Sequence, residues 1–125
     1  MAIKNSIQLN LKDGTSLPAG SVLVNIVRFP TPTQNEDADG NWDGTWNRVV
    51  VFDLKPFVSE AAIDADPQTP VMGELELVPS SWVRPTTEEE MLTLTPVVAE
   101  TWLKDWVASL TPGNNPTIIN PFINE

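Results

Sequence analysis

Two apolar runs, Ser21–Phe29 (SVLVNIVRF) and Trp46–Leu54 (WNRVVVFDL), decide how this chain folds. Both are rich in Val, Ile and Phe, side chains that crowd a helix at χ1 and pack well on a pleated surface. In the first, Val22, Val24 and Ile26 alternate with Leu23, Val27 and Phe29. In the second, Trp46, Val50, Phe52 and Leu54 oppose Val49 and Val51. Apolar residues on both faces call for cover on both faces, or for a second chain against one of them. Asn25 and Asp53 interrupt the pattern and are expected near strand ends or at an edge. The runs are joined by residues 30–45, an acidic, glycine-bearing stretch, and are read as paired central strands of an antiparallel sheet.

Outward from this centre, Ile3, Ile7, Leu9 and Leu11 alternate with polar residues, the pattern of a half-buried strand ended by the Asp13-Gly14 turn. Val71–Val78 (VMGELELV) alternates likewise and predicts another strand, with Gly73 as a bulge candidate. Ser59 and Glu60 suit the start of one helical turn. Thr86–Glu90 has the capping hydroxyls and first-turn carboxylates of a second start, after which Thr93 and Thr95 favour a return to strand. The strongest helical period lies in Pro96–Leu110. Ala99, Trp102, Leu103, Trp106, Val107 and Leu110 form its apolar stripe, with Glu100, Lys104, Asp105 and Ser109 opposite. Thr95 is the predicted N-cap and Pro96 the first helical residue.

The expected fold is therefore α+β: a mainly antiparallel sheet or sandwich of roughly four to six strands, one amphipathic C-terminal helix, and an extended C-terminal arm. Residues 1–110 form the expected domain and residues 111–125 the arm. On this reading a chain ending at Leu110 keeps its fold.

Composition narrows function. Seven Lys and Arg against 17 Asp and Glu give a net charge of −10, the opposite of the basic stripe that phosphate neutralisation requires. Nucleic acid and anionic membrane surfaces are thus not expected partners. Histidine and cysteine are both absent, which removes the commonest general base, thiolate metal sites and Ser-His or Cys-His pairs. No stretch reaches the ~20 apolar residues of a membrane span, and the N-terminus lacks a signal-peptide pattern. No cofactor and no catalytic residue is expected.

Three constellations bear on chemistry. Asp37, Asp39, Asn41 and Asp43 place oxygen-bearing side chains at alternate positions, as calcium loops do. However, Trp42 stands where the EF-hand needs glycine and Arg48 where it needs glutamate. An acidic loop tip is the simpler reading. The carboxylate pairs Asp64/Asp66 and Glu74/Glu76 and the run Glu88–Glu90 read as solvated charges rather than an acid–base pair. Of the five tryptophans, Trp102 and Trp106 belong to the helix stripe. Trp42, Trp46 and Trp82 stand beside loops and prolines as candidate interface anchors. Ile118, Ile119, Phe122 and Ile123 in the tail complete the candidate interface, either as a strap on the chain's own domain or as an arm on a neighbour.

The strand and turn of Ile3–Gly14, the LPAGSVLVNIVRF segment (17–29), the NRVVVFDLKPFVSEAA segment (47–62), a further strand and the helix AETWLKDWVASL (99–110) together resemble the small structural proteins of tailed-phage virions. That resemblance spans most of Ile3–Leu110. It implies a non-enzymatic part of a connector, tail, baseplate or capsid, localised to the virion and working in symmetric copies with itself and other virion proteins. The alternative from another class is a glycan- or calcium-dependent binding module centred on Trp42 and the Asp37–Asp43 loop.

Overall fold

A computed structural model describes residues 2–119. Its strands are β1 (Ala2–Lys4), β2 (Leu9–Asn10), β3 (Ser16–Leu17), β4 (Val22–Arg28), β5 (Thr33–Glu36), β6 (Trp42–Phe57), β7 (Ser81–Thr86) and β8 (Thr117–Ile119). Its helices are α1 (Glu60–Ala65), α2 (Glu88–Leu92) and α3 (Pro96–Leu110). The six-stranded sheet runs β5-β6-β4-β1-β8, with β7 pairing on the other edge of β6, and β2 and β3 form a separate small pair. All these pairings are antiparallel. The fold is α+β.

The two central runs do pair. Val22 lies opposite Phe57 and Arg28 opposite Val51. β6 is longer than the apolar run implies, 16 residues, or about 50 Å of extended chain. Its first half pairs with β5, Thr33 opposite Asn47 and Glu36 opposite Trp42. β4 and β5 thus lie in one line along β6, broken by Pro30 and Pro32, which cannot donate to a ladder.

One face of the sheet carries the main core. Ile3, Leu23, Val50, Phe52 and Leu54 pack under Ala99, Leu103 and Val107 of α3, with Leu9, Leu11, Leu17, Leu75 and Val78 closing one end. Trp82 continues this layer, stacked on Phe52 at 4.9 Å and on Trp106 at 4.6 Å. On the opposite face, α1 sits against β6, and Lys4 pairs with Glu60 at 3.7 Å. Farther along that face Arg28 pairs with Asp53, which also accepts from Ser81 Oγ at 3.0 Å. Asp53 therefore lies mid-strand on a solvated face, and an ion pair, not a strand end, accommodates its charge.

The caps follow the sequence. Ser59 Oγ accepts from Ala62 N–H, Thr87 and Glu90 form a capping box, and Thr95 Oγ1 accepts from Val98 N–H with Pro96 at the first turn. After Glu90 the chain stays helical to Leu92, with Thr93 as C-cap, instead of returning to strand.

Three further expectations change. The Ile3–Leu11 strand divides at Asn5, whose buried carboxamide donates to Ser21 O at 3.3 Å and accepts from Asn114 Nδ2 at 3.1 Å. Val71–Val78 is no strand. Only Leu75 bridges to Leu11, because Gly73, at φ 130°, turns the chain out of register. Glu100, assigned to the solvated side of α3, is 0% exposed. β1 brings the Ala2 backbone up to Glu100, and residues 111–119 fold back so that Thr117–Ile119 pair with β1 beside α3.

Candidate functional site

Beyond the core, β5 and the first half of β6 form a two-stranded arm. Every residue from Trp42 to Asn47 is exposed, and of β5 only Asn35 is part-covered. Its tip is built by local hydrogen bonds. Asp37 Oδ1 accepts from the Asp39 and Asn41 amides at 2.9 and 3.0 Å, and Gly40 takes the φ of 81° that this turn needs. Asp43 Oδ1 accepts from Thr45 N–H at 2.8 Å and Thr45 Oγ1 at 2.6 Å, which holds its carboxyl below the usual range. These carboxylates are engaged in turns rather than converging. Among the described residues no group of three or more acidic side chains is placed to hold a metal ion.

Trp42 and Trp46, four apart on one strand, share a face of the arm. Their ring centroids are 5.6 Å apart at 57°, and Trp42 Nε1 donates to Thr45 O at 2.8 Å. They remain 49% and 44% exposed. The arm presents a braced pair of indoles and an acidic tip (Glu36, Asp37, Asp39, Asp43).

The other sequence-selected residues lie elsewhere. Trp82 is half-buried between Phe52 and Trp106, away from the arm. Beside it Arg84 lies 3.8 Å over the Trp102 ring and pairs with Glu90 at 3.2 Å; the Thr87 backbone hydrogen bond, and after it the Arg84 hydrogen bond, lower the Glu90 pKa. Ile118 and Ile119 are half-buried in β8, opposite Ile3 and Ala2. Phe122 and Ile123 fall outside the described residues. The structure thus brings Trp42 and Trp46 together and separates them from Trp82, Ile118 and Ile119. The acidic pairs have local duties: Asp66 accepts from Gln68 N–H and Thr69 Oγ1, and Glu74 pairs with Lys12 at 2.9 Å.

A second feature was not singled out from the sequence. Between the end of β4 and the start of α3 lies a cleft of about 460 Å³, lined by Asn25, Ile26, Val27, Phe29, Leu94, Thr95, Pro96 and Ala99. Asn25 is 0% exposed, and neither atom of its carboxamide has a hydrogen-bond partner among the described residues. The signal was present in the sequence as one Asn inside an apolar strand.

Comparisons with protein-family models, with curated proteins and with solved structures found no match.

Proposed function

We propose that this chain is a non-enzymatic assembly protein that acts through subunit contacts, with the β5–β6 arm as the principal contact element. The observation that carries the reading is the exposed, mutually braced Trp42–Trp46 pair on an arm that buries nothing of its own. Tryptophan is the residue type most enriched at the energetic centres of interfaces. A two-stranded ribbon is marginal alone in water, so a partner surface is a physical reason for its persistence. With the resemblance in segment layout, the reading becomes a structural component of a tailed-phage virion, present in symmetric copies beside other virion proteins.

The net charge of −10 opposes self-association at long range, yet charges are screened within about 8 Å at physiological salt. Assembly through the arm should therefore strengthen with salt. A photoreactive phenylalanine analogue at position 46 tests the contact. The expected product is an inter-chain adduct, to a second copy or to a co-purified virion protein, at one defined surface. Adducts confined to the chain itself would contradict the reading.

The alternative, a glycan- or calcium-dependent module at Trp42, draws on the same aromatic exposure. The engagement of Asp37 and Asp43 in turns favours the assembly reading over the calcium one.

A further inference from the structure

The indoles of the arm lie on a face that is core elsewhere in the molecule. By strand alternation Trp46 and Arg48 point the same way as Val50, Phe52 and Leu54, which pack under α3. Trp42 joins them, its ring centroid 5.6 Å from that of Trp46. β5 adds Gln34 and Glu36, level with Trp46 and Trp42. The core layer under α3 ends at Val50, and Trp46, Trp42, Gln34 and Glu36 beyond it are exposed. The arm thus carries the core face of the sheet past its cover.

Charge along the arm is polarised. Arg48, half-buried at the base, is the only Lys or Arg between Arg28 and Lys55. Glu36 stands about 13 Å farther out along the strands, and Asp37, Asp39 and Asp43 belong to the tip. The order is cation, indoles, anions. A two-fold contact sets residue i of one copy against residue j of the other, and j against i. With the axis at the level of Trp46, the face is complementary to itself. The two Trp46 rings meet, and each Arg48 reaches the other copy's Trp42 and Glu36, an indole and a carboxylate. The arms then run antiparallel, and their acidic tips point away from each other. Parallel arms would bring both tips together, which like-charge repulsion opposes.

We propose that the arm's partner is the same arm of a second copy. The two pack face to face and antiparallel about a two-fold axis beside Trp46, with Arg48 of each against Trp42 and Glu36 of the other. This rests on the reading of the arm as a subunit contact, and gives that contact a partner and a geometry.

Charge reversal with native mass measurement tests the pairing. Arg48→Glu and Glu36→Arg proteins should each self-associate at least about tenfold more weakly than wild type. Mixed in equal amounts they should form a heterodimer at close to wild-type affinity, because both of its contacts then join Arg to Glu. A second measurement does not depend on how Arg48→Glu folds. The chain has no cysteine, and Gln34 and Thr33 are both exposed, on opposite faces of β5. A bismaleimide spanning about 10 Å, the spacing of facing sheets, should link Gln34→Cys protein to itself and leave Thr33→Cys protein unlinked. Reversals without effect, a mixture no tighter than its components, or equal linking at both cysteines would overturn the proposal. If wild type nonetheless forms an oligomer that Trp42→Ser/Trp46→Ser abolishes, the arm remains a subunit contact and only this pairing falls. A wild type that stays monomeric overturns both.

Discussion

Trp82 stacks on Trp106 with ring centroids 4.6 Å apart and planes 5° from parallel, which fastens β7 to α3. Stacked aromatic pairs contribute about 0.5–1.5 kcal/mol beyond the area they bury. A double-mutant cycle with Trp82→Ala and Trp106→Ala, read by urea unfolding, should give a coupling energy of about 1 kcal/mol. A coupling near zero would mean that the two rings merely share a surface.

Asn25→Leu replaces an unpartnered buried amide with an apolar side chain of similar size, so thermal unfolding should show a gain of about 1 kcal/mol. A loss of that size would show that the amide has partners when the protein is in water.

Glu100 gives a pH signature opposite to that of the surface acids. Burial raises its pKa above the ordinary 4.5, with the Ala2 backbone amide opposing. At neutral pH its charge therefore costs stability, and that cost is relieved as pH falls through the folded-state value. Glu100→Gln should be more stable than wild type at pH 7, and the difference should shrink towards pH 4. Asp53 behaves in the other sense. The Arg28 hydrogen bond lowers its pKa below the ordinary 3.8, so its contribution is fully present above 3.8 and is lost as pH falls on through the lowered folded-state value. Asp53→Asn should flatten the acid limb of the stability curve and leave Glu100's effect unchanged.

Residues 111–119 are tied into the domain. Asn114 accepts from Ser6 N–H at 3.0 Å and donates to buried Asn5, while β8 closes the sheet beside β1. Truncation after Leu110, which the sequence reading expected to be harmless, should cost roughly 2–4 kcal/mol by stranding Asn5 and opening the β1 edge. Chemical denaturation of the truncated chain measures this directly.

These cases also mark what the sequence made legible. Alternating Val, Ile and Phe identified β4 and β6, and the 3.6-residue period with Thr95-Pro96 gave α3 its bounds, because local chemistry determines both. β5 was missed because Thr-Gln-Asn-Glu has no apolar face; it is a strand only through β6. Val71–Val78 has the strand period, yet Gly73 and the flanking Pro70 and Pro79 leave it a single bridge. Glu100 falls on the polar side of a helical wheel, which does not include β1, the strand that brings the Ala2 backbone beside it. Trp42 and Trp46 were recognised as candidate anchors from their loop setting. The cleft was not, since its walls, the end of β4 and the start of α3, are far apart in sequence.

The central claim is that the arm is a subunit contact. Native mass measurement over a range of protein concentration and salt, on wild type and on a Trp42→Ser/Trp46→Ser variant, tests it most directly. Both residues lie outside the core, so the variant should keep the wild-type unfolding midpoint. The account predicts a discrete oligomer for wild type, favoured by salt, and a monomer for the variant. A wild-type chain that stays monomeric throughout, or a variant that assembles as wild type does, would contradict it.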